Sequence, residues 1–262
     1  MRRPMLPRAV RLVLASTLAL SALSVAAAPT AAPAARAGGG ALPDLAMAPL
    51  DDFVIQWVNG QRLLRFTAMM VNVGDGQFEL RGHRASTGDP MVMDQIIYTT
   101  ASRSSGIAQQ LTTQAVAKYS GDGHDHWHVL DFQKFKLVSL DAEVLGNVEK
   151  TGFCSFDSYP YTSPRPPFFT SDRDICQTNA SSGKVLMGTS RGWGDIYRWS
   201  IAFQWIDITD LPDGRYKVRV VVDAPYATGG FFREADESNN RSWTKIRIKG
   251  SNVTILDQSR DP

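Results

Sequence analysis

The sequence lacks the patterns that define several common classes of protein. Its longest apolar run, residues 12–25, has about 14 residues, whereas a membrane-spanning helix needs roughly 20, so we expect no membrane span. It has no stripe of basic residues and no alternation of basic and aromatic residues, which argues against a nucleic-acid partner. Few stretches have the periodicity of an amphipathic helix, and no internal repeat is present.

Acidic side chains are absent from residues 1–37, which contain five arginines. Four of these arginines precede the apolar run, and small residues follow it at positions 26–28, which is the layout of a secretory signal. We expect residues 1–37 to hold the signal peptide and the start of a linker that continues over 38–42, with cleavage after Ala28 or Ala37 and secretion of the rest. The net charge is +2 for the whole chain and becomes −3 without the five arginines. A mildly acidic surface tolerates a cationic substrate.

Cysteine is scarce, with only Cys154 and Cys176. In an exported protein, an even pair predicts a disulfide. The enclosed loop has about 22 residues, so closing it would stabilise the fold by roughly 3 kcal/mol through chain entropy. The alternative, two thiolate metal ligands, is disfavoured because the residues between the cysteines supply no third soft ligand.

The chain does contain a succession of short strand-like segments separated by turns. Asn59-Gly60 between two apolar runs predicts a hairpin, and Asp213-Gly214 marks another turn. Regular strand spacing without helical interludes predicts an all-β protein. We expect a β-sandwich domain over residues 43–250 and a tail over 251–262. The segments with strand character are residues 53–57, 62–72, 127–141, 200–208, 216–223 and 242–248.

Two kinds of segment interrupt this strand pattern. Residues 93–99 and 109–117 are candidates for short helices. Residues 81–121 and 152–194 are expected to be long irregular insertions. Loops of such length in a compact domain are usually functional or locally clamped.

Histidine is also scarce, and three of the four histidines lie in one segment, His124-Asp125-His126-Trp127-His128. Because side chains alternate between the two faces of a strand, the three imidazoles would project from one face and Asp125 and Trp127 from the other. Three neutral imidazoles suit Cu(II), zinc or nickel. The affinity order and an oxidising exterior favour copper, but the spacing alone leaves zinc open. The bound metal could be catalytic, structural or stored.

Three segments resemble the lysyl oxidase family. The His-x-His-x-His segment, followed by an apolar and acidic strand, is similar to the family's copper-binding segment. Residues 150–154, Lys-Thr-Gly-Phe-Cys, resemble its Lys-x-x-Phe-Cys segment. Residues 204–210, Gln-Trp-Ile-Asp-Ile-Thr-Asp, match one of its sequence blocks almost letter for letter. The similarity extends over about residues 43–248.

The resemblance implies a cofactor and a reaction. His124, His126 and His128 fall on the family's Cu(II) ligand positions. Lys150 and Tyr197 fall on the residues that are cross-linked into its lysine tyrosylquinone. Such a protein would be a protein-lysine 6-oxidase-like copper amine oxidase. It would convert primary amines, with peptidyl-lysine as one option, to aldehydes with oxygen as the acceptor, releasing ammonia and hydrogen peroxide. The quinone carbonyl is an electrophile that ordinary side chains lack.

The reaction also needs a general base, for which a carboxylate with a pKa near the working pH would serve. Asp195 is the first candidate, because it precedes Tyr197 by two residues, as in the family. Asp207 and Asp131 are the others.

The chain departs from the animal members of the family at three positions near these residues. Trp127 stands where the animal enzymes carry tyrosine. Ser200 and Ala202 stand where they carry two aspartates between the cofactor tyrosine and the Gln-Trp block. If either of those aspartates were the general base, turnover by this chain would be in doubt.

A second metal is implied near the end of the domain. Residues 234–240 are rich in carboxylate and amide oxygens, which suit Ca²⁺. Taken alone, the composition of this segment predicts a polar hairpin loop with Asx turns. The family places a structural calcium site on this segment together with an Asp-Leu pair near the domain start. The matching residues are Asp44, Leu45 (through its carbonyl), Glu234, Asp236, Asn239 and Asn240.

Two other classes of function remain open at this point. One is an exported copper-binding or copper-handling module without turnover. The other is an adhesive β-sandwich module, suggested by the Asp-Gly-x-Tyr turn and the Asn-Asn pair near the end of the chain. Lys150 and Tyr197 discriminate the oxidase from both, because only the oxidase requires them to react with each other.

Overall fold

The computed structural model describes residues 40–121, 125–148, 150–223 and 230–262. The predicted signal peptide and His124 lie outside this described part of the chain. Within it, the protein has two single-turn 3₁₀ helices, Arg103–Ser105 and Ser171–Arg173, and is otherwise built from strands, which confirms the all-β prediction. No helix among the described residues is long and apolar enough to cross a membrane.

The described strands, in chain order, are β1 (Leu45–Met47), β2 (Asp51–Val58), β3 (Gln61–Asn72), β4 (Phe78–His83), β5 (Met91–Tyr98), β6 (Ile107–Ser120), β7 (His126–Leu130), β8 (Gln133–Val138), β9 (Val144–Asn147), β10 (Gly152–Phe153), β11 (Tyr159–Pro160), β12 (Lys184–Thr189), β13 (Trp193–Tyr197), β14 (Trp205–Asp207), β15 (Gly214–Val222), β16 (Arg241–Lys249) and β17 (Asn252–Gln258).

The first sheet is organised around the long strand β3. One half of β3 pairs with β1 and β13, the other half pairs with β2 and β14, and β11 extends the sheet beyond β13. The predicted hairpin joins β2 to β3, where Asn59 and Gly60 adopt φ values of 50° and 85°. Two successive positive φ angles match the twist that a two-residue hairpin requires.

The second sheet has the strand order β10-β7-β6-β5-β4-β12 and is antiparallel throughout. The helices predicted for residues 93–99 and 109–117 are wrong, because these residues lie in β5 and β6. Six of the eight β5 residues from Met93 to Tyr98 are buried without interruption, so the strand shows no alternation that would separate it from a buried helix. The insertion predicted for residues 81–121 is also largely regular sheet, since it contains β5 and β6.

The third sheet has the order β17-β16-β15-β8-β9. Its central strand β15 has a buried apolar residue at every second position from Tyr216 to Val222, which is the period of a strand with one face in the core. The predicted tail over residues 251–262 contains β17, which pairs with β16 along most of its length. The chain therefore continues the domain for several residues beyond the boundary expected at residue 250.

The core contains buried side chains from all three sheets. The core contains a series of four aromatic rings in contact. Measured between ring centroids, Phe66 lies 5.5 Å from Phe135, Phe135 lies 6.1 Å from Phe153, and Phe153 lies 5.2 Å from Tyr197. Such contacts add packing and quadrupole energy to area burial. Tyr197 is the last ring of this series and is packed against the core through Phe153.

The predicted disulfide is confirmed. Cys154 and Cys176 are bonded, with their Cα atoms 5.8 Å apart. The Cys176 carbonyl accepts a hydrogen bond from the Trp127 N–H at 2.8 Å, and its own N–H donates to Leu186. The bond therefore ties the irregular segment after β10 to both β7 and β12, which is the local clamp expected of a long loop.

Candidate active site

The two described histidines of the predicted metal segment lie on β7. Their ring centroids are 4.4 Å apart, so His126 and His128 project to the same side of the strand. Trp127 projects to the other side, where its ring packs edge-on against Tyr119 and its Nε1 donates to the Asn179 carbonyl. The alternation on which the metal prediction depends is therefore present in β7.

His128 is buried beside the short strand β10. A Cβ atom added to Gly152 would lie 2.7 Å from the His128 Cβ, which is closer than side chains approach each other. Glycine at this position thus leaves the room that the imidazole occupies. The same strand begins two residues after Lys150, so the histidine strand and the predicted cofactor lysine are adjacent in space.

Lys150 and Tyr197, which are distant in sequence, meet in the interior. The side chain of Lys150 is buried, and its Nζ lies 5.5 Å from the centroid of the Tyr197 ring and 5.3 Å from that of Phe153. Its backbone N–H donates to the Phe203 carbonyl at 3.1 Å. An ammonium group is rarely buried, because it loses its hydration, and the electron-rich faces of aromatic rings offset part of that cost.

Tyr197 is held from two directions at the end of β13. Its hydroxyl donates to the Cys154 carbonyl at 2.5 Å, and the edge of Phe153 meets its ring. Burial raises the pKa of the phenol well above its ordinary value, and the negative charge of Asp195 adds to the rise. The phenol is therefore protonated and fixed in position.

Asp195 lies close to this pair and is fully buried. It precedes Tyr197 by two residues on β13, so both side chains leave the same face of the strand. Ser158 donates through Oγ to its Oδ1 at 3.2 Å, and its Oδ2 has no hydrogen-bond partner among the described residues. Burial raises the pKa of Asp195 to about 8, partly opposed by the Tyr197 and Ser158 hydroxyls and by the positive charge of Lys150.

The other candidate bases lie at the surface. Asp207 is exposed and accepts hydrogen bonds from the backbone and hydroxyl of Thr209. Asp131 is exposed in a turn of positive φ, 3.5 Å from Lys134. Of the three carboxylates proposed from sequence, Asp195 is the one that lies beside Tyr197.

A cavity of about 420 Å³ opens beside Lys150 and His128. His128, Lys150 and Phe203 contribute to its wall, and Lys118 stands at its exposed side. A small amine, or the end of a lysine side chain, fits a volume of this size. The cavity thus gives a small molecule access to Lys150 and to the histidine strand.

Two residues of this site, Ser158 and Phe203, were not predicted from the sequence. Ser158 orients the Asp195 carboxylate, and Phe203 both bonds the Lys150 backbone and lines the cavity. Neither belongs to a motif with a mechanism of its own. Phe203 does precede the recognisable Gln-Trp block by one residue, and this position could have indicated its place in the site. No sequence pattern around Ser158 indicates its role.

The oxygen-rich segment before β16 meets the start of the domain, as predicted for a calcium site. Asn239 donates through Nδ2 to Asp44 at 2.7 Å, and Asn240 donates through Nδ2 to Glu234 at 2.9 Å. The Oδ1 atoms of both asparagines are buried and have no hydrogen-bond partner among the described residues. The Leu45 N–H donates to the other oxygen of the Glu234 carboxylate.

The sixth predicted calcium ligand, Asp236, lies at the exposed side of this segment. Its Oδ1 accepts the N–H of Ser238 at 2.8 Å, which is an Asx turn. The unpartnered amide oxygens and the surrounding carboxylates are nevertheless a donor set that suits a hard cation. The residues present therefore fit calcium better than they fit a loop held by Asx turns alone.

The fold and the site together define an all-β protein in which a buried lysine–tyrosine pair adjoins a strand of histidines. The sequence model of the family named Lysyl oxidase matches residues 98–257 of this chain. The chain belongs to the lysyl oxidase family.

Individual relatives agree with this assignment. Lysyl oxidase homolog 2 of Rattus norvegicus is 30% identical over 137 residues, and that of Gallus gallus is 29% identical over the same length. Each match covers 52% of this chain and 16% of the relative. Lysyl oxidase homolog 3B of Danio rerio is 26% identical over 133 residues, which is 50% of this chain and 15% of the relative. This chain thus spans only a small part of the length of these relatives.

Proposed function

We propose that the protein is a secreted copper amine oxidase that converts primary amines, peptidyl-lysine among them, to aldehydes with release of ammonia and hydrogen peroxide. The observation that carries this proposal is the buried contact of Lys150 with Tyr197, 5.5 Å from ammonium to ring centroid. In the lysyl oxidase family these two positions supply the quinone cofactor. A buried lysine against a tyrosine has little value for stability, because a buried charge costs desolvation, so a chemical role explains it better.

His126 and His128, together with His124, would hold the copper ion. Neutral imidazoles on one strand face are ligands that Cu(II) accepts readily. Copper and the quinone derived from Lys150 and Tyr197 would supply an electrophilic carbonyl and the transfer of electrons to oxygen, which ordinary side chains do not provide.

The chain's own residues have separate tasks in such a reaction. The Cys154 carbonyl and the Phe153 ring hold the Tyr197 ring in one orientation. Asp195 is the general base that takes the proton from the carbon next to the substrate nitrogen. Its pKa of about 8 places it near a working pH, where a base is both available and strong enough. Ser158 keeps the carboxylate oriented.

The cavity and the burial of the site determine access. A substrate amine would enter beside His128 and Phe203, which line the cavity. Because the side chains of Tyr197 and Asp195 are buried in the core, bulk water has little access to the base.

Calcium would have a structural role in the same protein. Asp44, Leu45, Glu234, Asp236, Asn239 and Asn240 would surround it. These residues belong to the start of the domain and to the segment before β16. A cation bound there would hold the two chain segments together, as the hydrogen bond from Asn239 to Asp44 already does in part.

The proposed function is tested by peptide mapping of the purified protein after exposure to copper and air. The quinone adds one oxygen, removes hydrogens and links the peptide containing Lys150 to that containing Tyr197. Lys150→Ala should abolish the link and the release of peroxide with a panel of amines. Lys118→Ala, which removes a lysine from the same cavity, should keep the link. Separate, unmodified Lys150 and Tyr197 peptides in copper-loaded protein would leave a copper-binding module without turnover.

A further inference from the structure

Three carboxylates converge near the end of β15, and two of them lie outside the predicted calcium set. Oxygen atoms of Asp223, Glu234 and Glu237 all lie within 4.8 Å of one another. Asp223 and Glu234 are buried, and Glu237 is exposed at the surface. Glu234 alone of the three belongs to the calcium residues expected from sequence.

The fold brings Asp223 to this place from a different strand. It directly follows β15, and its backbone N–H donates to the Phe132 carbonyl at 2.8 Å. Its carboxylate accepts the N–H groups of Phe231 and Phe232, at 2.7 and 3.0 Å. The aspartate is therefore fixed by backbone contacts, with its charge beside Glu234.

Two buried carboxylates at this separation are unfavourable without a positive charge. A divalent cation between them would remove this repulsion.

A second observation points to a ligand at the same place. Asn240 is 4% exposed, and its Nδ2 donates to Glu234, which puts its amide group against the carboxylate cluster. Its Oδ1 is buried and has no hydrogen-bond partner in the part of the chain that the structure describes. Buried carbonyl oxygens are nearly always satisfied, so one without a partner on a residue bonded to Glu234 is an oxygen that a hard cation would take.

We propose that Asp223 and Glu237 are ligands of a hard divalent cation, Ca²⁺ by its preference for oxygen, together with Glu234 and Asn240. This inference rests on the calcium role proposed above and extends its ligand set to the end of β15. The cation then joins β15 to the segment before β16. Through the bond from Asp223 to Phe132, it also supports the chain just after the histidine strand β7.

The test is calcium titration by calorimetry on the full chain, after dialysis against calcium-free buffer, with thermal unfolding as a second readout. Glu237→Gln alters an exposed side chain and should fold, and we expect it to weaken calcium binding at least about tenfold, as loss of one charged ligand does. Asp223→Asn should weaken binding further and reduce the rise in melting temperature that calcium produces. Asp213→Asn, an exposed acid elsewhere, should bind calcium like the wild type.

Asp236→Asn separates this inference from the proposed calcium role. If Asp236→Asn weakens binding while Glu237→Gln and Asp223→Asn bind like the wild type, the calcium role stands and the additional ligands are refuted. If the wild type shows no heat of calcium binding and no thermal shift, both are refuted. The oxidase proposal is unaffected in either case, because peptide mapping tests it independently.

Discussion

The Lys150 ammonium lies 5.5 Å from the centre of the Tyr197 ring, and both side chains are buried against the same phenylalanine, Phe153. The contact joins a loop before β10 to the end of β13. Each partner is held by a separate backbone bond, Lys150 by Phe203 and Tyr197 by Cys154. Two groups that are independently fixed at short range need little rearrangement to react, which is the advantage of proximity.

Replacement of the proposed base should slow the reaction without altering the cofactor. In Asp195→Asn we expect kcat/KM to fall by about 10²- to 10⁴-fold, the usual contribution of a positioned general base. Copper content and the Lys150–Tyr197 link should be unchanged. In the wild type, activity should rise as pH increases through about 8, because Asp195 must lose its proton to act.

Ser200→Asp is a matched control for that interpretation. Ser200 is exposed and stands where animal enzymes carry an acid, so its replacement should leave turnover unchanged if Asp195 is the base. An inactive wild type that gains activity from Ser200→Asp or Ala202→Asp would assign the base to that segment instead.

The buried Asp195 should also make stability depend on pH. The ordinary pKa of an aspartate is 3.8, whereas the pKa of Asp195 in the folded protein is about 8. Between these pH values the unfolded chain has released the proton that the folded chain retains, so the free energy of unfolding should fall as pH rises from about 4 to about 8, with a limiting slope near 1.4 kcal/mol per pH unit. Urea titrations at several pH values measure this slope. Asp195→Asn should have a smaller one, and equal slopes in both proteins would contradict the burial of a titrating group.

Removal of either described histidine should reduce copper binding. We expect His126→Ala and His128→Ala to lose most of the bound metal, since each removes one of three imidazole ligands. His83→Ala provides the control, because His83 lies at the surface beside Asp94. Metal analysis of the purified proteins checks this, and full copper stoichiometry in His126→Ala would exclude the triplet as the ligand set.

Loss of the disulfide should destabilise the fold and loosen the site. For a loop closed over a sequence separation of 22, removal of the Cys154–Cys176 bond should lower the free energy of unfolding by about 3 kcal/mol. Urea unfolding of the double alanine variant, compared with the oxidised wild type, measures this loss. Because the Cys154 carbonyl holds the Tyr197 hydroxyl, the variant should also form the Lys150–Tyr197 link more slowly. A variant as stable as the oxidised protein would show that the bond stabilises little.

Local patterns in the sequence were sufficient for several features. The hairpin at Asn59-Gly60 and the shared face of His126 and His128 both depend on backbone geometry within a few residues, and both are present. The all-β class and the disulfide were also predicted correctly. The helix expected at residues 93–99 was wrong because a strand that is buried on both faces loses its period of two. The helix expected at residues 109–117 was also wrong, since these residues lie in β6, where more exposed and less exposed side chains alternate.

The tertiary structure alone decided the rest. No local rule brings Lys150 to Tyr197, buries Asp195 or sets Asp223 beside Glu234, because these contacts and this burial depend on how separate segments of the chain pack together. The pKa shifts follow from the same burial, which no linear pattern expresses. The sequence by itself thus determined which groups the protein carries and how each strand presents them. Packing decided which of those groups meet and what chemistry their surroundings allow.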